Sequence, residues 1–478
     1  MYEKYGLYID GNWRAASDGR VKEVFDPATG SVIGTIPAAT TMDMDDAISA
    51  AARGFQVWRA TNPWERSTRL RDVAELIRQR VDSIARIMSA ETGKPLAEAI
   101  GETNAAADQF EWYSEETKRI YGQTIEGRTP DVRLTVRYQP VGVVAAFSAW
   151  NFPALLPARK IAAALAAGCA IILKPAGEAP GSCLALIQAC HDAGLPAGTV
   201  NCVTGDSSRI APYLVASDTI RKVSLTGSVE VGRQILHLAA DGVKKVTMEL
   251  GGHGPVLVFD DVDAKATARV CAATKFRNCG QVCISPSRFY VHESVYETFA
   301  ATFADVARNL KVGRGLDDGV QMGPMANARG LATAQAMIQD ALDRNAELLA
   351  GGGTPASQNQ GYFLEPTVLG RVPDEARVMV EEPFAPVAPI TTFREMDEVI
   401  ARANSLPFGL AGYVFTTSLK TAHIVSDALE CGMVGVNEML LATAEAPFGG
   451  IKESGMGREG GSLGIMDYLE AKYIKMKL

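Results

Sequence analysis

The sequence predicts an α/β protein of two domains, each built on a parallel sheet. At 478 residues the chain is too long for one ordinary core. After residue 140, short apolar runs closed by turn residues (VGVVAAF, CAIILKP, TVNCVTG, RKVSLTG) alternate with helical stretches such as RKIAAALAAG and SCLALIQACHDAG. That alternation marks a parallel sheet covered on both faces. A second series runs from about 251 to 430, with GPVLVFD, RFYVHE and PVAPITTF as strands and AQAMIQDALDRNAELLAGGG as a helix ended by glycines.

The preceding segments read differently. Residues 43 to 120 form helices: DMDDAISAAARGFQVW opens on acidic capping residues, and ERSTRLRDVAELIRQRVDSIARIMSAETGK keeps apolar residues three and four apart until Gly93 and Pro95. This makes an amphipathic, largely surface layer. Residues 132 to 138, VRLTVRY, alternate in period two and form a strand with one wet face.

Composition excludes several functions. The 47 basic and 55 acidic residues give a formal charge of -8, and the basic residues are scattered, so no nucleic-acid footprint exists. Eight cysteines without paired CxxC sets suggest neither a disulfide framework nor a zinc ribbon, and point to a reducing compartment. MYEKYGLYIDGNW lacks a basic segment followed by an apolar core, and the longest apolar tracts are interrupted by Pro, Arg or Lys. A soluble, unprocessed, cytosolic protein is expected, without membrane contact.

In open parallel sheets, ligands bind beyond the carboxyl ends of the strands. SLTGSVEVGRQIL follows a strand and opens a helix, aiming backbone N–H groups at an anion such as a pyrophosphate. Its span from Gly227 to Gly232 is not a GxGxxG fingerprint. A literal GxGxxG at Gly455 to Gly460 follows turn-rich sequence and is rejected. Lys174 ends a strand, as a ribose or phosphate ligand or as a plain surface lysine. Glu249 stands before Gly-Gly as a base or a solvated loop carboxylate. Asn151 is an oxyanion amide or a helix cap.

FRNCGQVC places Cys279 and Cys283 together with none of the five histidines (191, 237, 253, 292, 423) nearby, so a metal ligand set is missing. A redox pair would be unusual in a cytosolic enzyme. A nucleophile needs a thiolate, which turn amides and the nearby Arg277 or Arg288 would favour. On these residues alone, a buried inert thiol is the plainer reading.

AWNFP, ILKPA, LTGSVEVG, MELGG, FRNCGQVC, EEPFAP and PFGGIKESGMGRE, in this order over the whole chain, resemble the NAD(P)-dependent aldehyde dehydrogenase superfamily. LLPARK, VGVNEML and DYLEAKY are most similar to its succinate-semialdehyde dehydrogenase branch. The resemblance implies a Rossmann-like cofactor domain (1–119 and 142–250, with part of 429–463), an α/β catalytic domain (251–428) and a small β oligomerisation flap (120–141 and 464–478). A homo-oligomer, dimer or tetramer, is expected.

By the same resemblance, Cys283 is the nucleophile and Asn151 holds the oxyanion of a thiohemiacetal. Glu249 activates water against the thioester. Lys174, Gly227, Ser228, Gly232, Trp150, Glu382 and Phe384 contact the cofactor. Gly177 departs from NAD-preferring relatives, which often carry a glutamate there; its loss removes a barrier to NADP, so NADP is expected alongside NAD, with Glu178 as a partial substitute. Arg159 and Arg277 match positions that hold the acid end of a semialdehyde. The usual serine of the loop before PFGG is absent, and Thr443, beside Ala442, is its candidate replacement.

Two more departures are Ala385, generally glycine, which would crowd the nicotinamide ribose modestly, and Cys279, which could pair reversibly with Cys283 under oxidation. The implied reaction is oxidation of an anionic aldehyde such as succinate semialdehyde. Sulfolactaldehyde, glutarate semialdehyde and 2-oxoglutarate semialdehyde are alternatives, as is a broad-range activity. A cysteine hydrolase would want a histidine base, and a CoA-acylating enzyme would not need Glu249. An idle relative would have lost Cys283, Glu249 or Asn151.

Overall fold

Five parallel strands form the centre of an eight-stranded sheet, in the spatial order Val200–Cys202, Ala170–Lys174, Val143–Phe147, Ile220–Thr226 and Lys245–Glu249. The structure is a computed structural model and describes residues 2–478. Leu7–Ile9 with Asn12–Arg14 closes one edge and Gly455–Met456 the other, all antiparallel to their neighbours. Every residue of Val143–Phe147 and Ala170–Lys174 is buried, which is why these strands read as continuous apolar runs. Chain order reverses beside Val143–Phe147, so the loops after Phe147 and Thr226 diverge and leave a crevice at the carboxyl ends.

A second sheet of seven strands orders Glu347–Ala350, Thr367–Gly370, Val387–Phe393, Pro286–His292, Gly254–Val258, Ala411–Phe415 and Met433–Val436. Only Glu347–Ala350 runs antiparallel to its neighbour. Each sheet carries its own apolar cluster, and that of the first is split between its two faces. Val132–Pro140 pairs with Leu469–Lys477 through nine residues and with Gln123–Glu126 on its other side, as a separate antiparallel sheet. A hairpin, Val21–Phe25 with Val32–Pro37, lies apart from both large sheets.

Several local expectations change. The helix expected from Ala334 through Ala350 ends at Asp343; Asn345 turns left-handed at φ 67° and residues 347 to 350 become the edge strand. Asn tolerates that conformation, and the following ELL run finds a strand to pair with. The long amphipathic run after residue 60 is two helices, Pro63–Gln79 and Val81–Thr92, broken at Arg80 and stopped by Gly93 at φ 77°. Thr40, rather than an acidic residue, caps Thr41–Ala60. Its hydroxyl accepts from Asp43 N–H while the Asp43 carboxylate accepts from Thr40 N–H at 2.9 Å.

The helix Leu96–Glu116 exposes one face, with Asp108 and Glu111, and buries polar side chains on the other. Glu102 is buried and accepts from Lys94, from Ala154 N–H at 2.9 Å and from Leu155 N–H at 3.2 Å, where the helix Leu155–Ala167 begins. Lys94, equally buried, donates onward to the Asn151 carbonyl at 2.8 Å. Four residues before Glu102, Glu98 accepts from Asn278 N–H at 2.9 Å. One helix therefore ties down the loop after Phe147 and the loop leading to Cys283.

Glu102→Ala should strand the Lys94 charge and two amides, costing about 3–5 kcal/mol as for one partner removed from a buried pair. Thermal and urea unfolding would register this as a lower midpoint, and an unchanged midpoint would contradict the tie.

Candidate functional site

The carboxyl ends of the first sheet open into a cleft of ≈ 430 Å³, a volume in the range of small-molecule and cofactor sites. Its walls come from four strand ends: Ser148 to Asn151, Lys174 with Ala176 to Glu178, Thr226 to Ser228, and Glu249 to Gly251. The second sheet contributes Cys283, Glu382 and Phe384. Trp150 and Phe384 meet edge to face across the seam, their ring centroids 5.6 Å apart.

At one end of the cleft, Lys174 donates to Ser207 Oγ, and burial pushes its ammonium down to about 8. Ser228 caps the helix Val229–Asp241, its hydroxyl accepting from Val231 N–H. Gly227 lines the cleft, and an added Cβ there would be in ordinary contact with Leu225 at 3.5 Å. An anionic dinucleotide fits this set: a buried cation and a helix start at the cleft wall. Gly232 does not reach the cleft wall; it sits one turn inside the helix, where an added Cβ would lie 2.6 Å from Leu250, so it serves close packing.

At the other end, three ionisable groups, Cys283, Glu382 and Glu249, face the cleft. Burial, then the charge of Glu382, pushes the half-buried Cys283 thiol up to about 12, against the pull of Arg159. Burial likewise raises Glu382 to about 8, although it accepts from Gly252 N–H at 3.2 Å. Glu249 is held well above the usual carboxylate range by burial and by the nearby charge of Glu459, with Lys160, Arg159 and Arg458 opposing. Neither Glu249 oxygen has a partner among the described residues. Oε1 lies 2.8 Å from where a Cβ of Gly449 would stand, so only glycine leaves it room.

Asn151 is buried, and its amide donates one N–H to the Gln281 carbonyl at 3.1 Å. That bond fixes the amide and leaves its second N–H for an oxyanion. The backbone between is strained: Asn278 and Cys279 both hold left-handed angles (φ 48° and 56°) before Gly280.

The two cysteines part company here. Burial and Glu98 set the ionisation of Cys279, whereas Glu382, Arg159 and Glu249 surround Cys283. Both are free thiols. Ala385 is also placed away from the expected crowding: it is buried in the second core, and its carbonyl lies 2.1 Å from where a Cβ of Gly280 would be.

Behind Cys283, Arg159 stacks on the Phe448 ring, 4.1 Å from its centroid, and lines a second cavity of ≈ 490 Å³ with Thr443, Gln109 and Trp112. Gln109 Oε1, Trp112 Nε1 and Arg159 Nε are buried there without a partner among the described residues. Arg277 faces a separate small recess with Ala442 and stacks on Phe152 at 5.4 Å. Sequence reading had not singled out Gln109 and Trp112; their spacing of three places both on one helix face, but only packing turns that face inward. Arg329 also lines the first cleft and carried no signal in sequence. No cluster of metal-ligating side chains exists among the described residues.

The chain is similar to known proteins over nearly its whole length. The model of the aldehyde dehydrogenase family matches residues 13–474. The chain is 46% identical to a glutarate-semialdehyde dehydrogenase of Pseudomonas putida, over 98% of this chain and 96% of the other. It is 45% identical, with the same coverage, to the succinate-semialdehyde dehydrogenase [NADP(+)] of Escherichia coli. Among solved structures, an NADP-dependent enzyme of E. coli superposes with a TM-score of 0.98 at 43% identity, covering 100% of this chain and 99% of that one.

A thiol raised to about 12 has a thiolate fraction that grows tenfold per pH unit below that value. Alkylation of Cys283 by iodoacetamide in the cofactor-free protein should therefore be slow at neutral pH and climb steadily through pH 9. A rate that levels off near pH 7 would mean an already ionised thiol.

Proposed function

The chain belongs to the aldehyde dehydrogenase family, and from that premise we propose that it oxidises an anionic semialdehyde of the succinate or glutarate type to the dicarboxylic acid, with NAD or NADP as acceptor. The supporting observation is the convergence of Asn151, Glu249 and Cys283 on one cleft, with the Arg159 cation behind the thiol. In this reading the Cys283 thiol loses its proton to solvent, and the Sγ thiolate attacks the aldehyde carbon and forms a thiohemiacetal. The free Asn151 N–H and the Cys283 backbone N–H hold its oxyanion.

Lys174, Gly227, Ser228, Trp150, Glu382 and Phe384, with Gly177 beside the adenosine ribose, would hold the dinucleotide, which when bound would supply the two-electron acceptor that a thioester at Cys283 requires. Glu249, whose raised affinity for protons suits a base, takes a proton from water as that water attacks the thioester. The acid is then released and Cys283 recovers its thiol. Arg159 holds the carboxylate end of the substrate, with Thr443 at the same cavity and Arg277 from the neighbouring recess. The unpartnered Gln109 and Trp112 favour a second reading of the substrate, an anionic aldehyde with an additional polar group, such as sulfolactaldehyde.

The domain roles follow: the first sheet holds the cofactor and the second presents the thiol. The sheet of Val132–Pro140 and Leu469–Lys477 has unpaired edges and exposes Ile125, Tyr473 and Met476, which supports its use as a joint between subunits of a dimer or tetramer. Eight free thiols support a cytoplasmic location, and no helix among the described residues is long and apolar enough to cross a membrane.

Absorbance of the reduced nicotinamide tests the reading with succinate, glutarate and sulfolactaldehyde substrates against neutral butanal. One anionic aldehyde should dominate, and Arg159→Ala should lower its kcat/KM by roughly tenfold to a hundredfold while barely changing butanal. Glu249→Gln should lower steady-state kcat by about 10²- to 10⁴-fold yet keep a first-turnover burst. Equal use of butanal by the wild type would reduce the assignment to a general aldehyde dehydrogenase.

A further inference from the structure

Lys22 stands on the hairpin strand Val21–Phe25, far in sequence from the cofactor loops, and its register opposite Ile36 fixes it there. It is exposed and has no hydrogen bond or carboxylate partner among the described residues. Its Nζ lies 2.9 Å from the point where a Cβ on Gly177 would be. The ammonium therefore occupies the volume into which a side chain at position 177 would grow. The adjoining charged groups are Lys174, Glu178, Asp206 and Arg209: Lys22 and Glu178 both act on the buried Lys174, and Lys22 and Arg209 both act on Asp206. Lys174 and Ser207 are joined by a hydrogen bond on the floor of this corner.

We propose that Lys22 reads the cofactor's 2′-phosphate, so that this corner selects NADP over NAD by placing an ammonium in the space beside Gly177. The inference rests on the proposed dehydrogenase reading, and it goes further than the absence of a glutamate at position 177. Glycine there does not only remove repulsion; it makes room for a cation from another part of the chain. A dianionic phosphate between Lys22 and Lys174 would gain charge-assisted hydrogen bonds that a ribose hydroxyl cannot match. The Ser207 hydroxyl beside Lys174 gives the corner a donor for a phosphate as well as charge, while the Asp206 carboxylate already caps the helix Ser207–Ala216.

Calorimetric titration of the cofactor-free, full-length protein provides a readout independent of turnover. The ligands are NADP, NAD and adenosine 2′,5′-bisphosphate, against wild type, Lys22→Ala and Lys22→Glu. Removing the ammonium should weaken NADP and the bisphosphate about tenfold to a hundredfold and flatten the salt dependence of both, while NAD changes little. Lys22→Glu should weaken the phosphorylated ligands further. Because Lys22 is exposed, both variants should fold, which their unfolding midpoints check. Unchanged NADP and bisphosphate affinity in both variants would overturn the inference, as would wild-type protein that binds NAD more tightly than NADP. If the binding pattern holds but no aldehyde reduces either nicotinamide, this inference stands and the dehydrogenase reading fails.

Discussion

Desolvation at the seam between the two large sheets is the constraint on which the rest of the site depends. A thiol, two carboxylates and a lysine face one narrow cleft, and burial pushes each toward its neutral form: Cys283 to about 12, Glu382 to about 8, Lys174 to about 8 and Glu249 well above the carboxylate range. A resting site of this kind is poor in charge and slow to react with stray electrophiles. It also makes each nearby cation and amide count for more, because a low-dielectric seam strengthens every interaction that reaches it.

Such a site works only if its groups are held in register, since the two sheets bring them from separate cores. Helix Leu96–Glu116 does this with buried polar ties. Glu98 holds the amide of Asn278, while Glu102 and Lys94 hold the loop that carries Asn151. The left-handed pair Asn278 and Cys279 is strained backbone that those ties over-determine. A parallel arrangement serves Glu249, where a buried Lys160–Glu459 pair lies close enough to bias its proton affinity. Glycine at position 449 leaves the carboxylate its place. The Lys94–Glu102 and Lys160–Glu459 pairs are buried at both ends, and alone each member would be a liability.

The sheets were legible in sequence because strands buried on both faces are apolar along most of their length, and Val143–Phe147, residues 170 to 173 and Gly254–Val258 are. The strand at 347 to 350 was not, since ELLA continues the apolar spacing of the preceding helix and only a left-handed Asn345 separates them. The hairpin carrying Lys22 escaped for the opposite reason: Val21–Phe25 has one buried residue in five and no periodic pattern. Glu98 and Glu102 look in sequence like the wet face of a helix, and the burial of Glu102 is a property of what packs against it. Motif resemblance located Cys283, Glu249 and Asn151, and it located Arg159 and Arg277 without distinguishing the separate recesses they face.

In the proposed reaction Cys283 carries the acyl group of an anionic aldehyde until Glu249 directs water to it. The most direct test is intact-protein and peptide mass spectrometry of the Glu249→Gln protein, quenched after mixing with succinate or glutarate semialdehyde and NADP. A mass increase of one acyl group, mapped to the peptide containing Cys283 and absent when cofactor is omitted, is the predicted result. Acylation at another residue, or none at Cys283 while nicotinamide is reduced, would contradict the account.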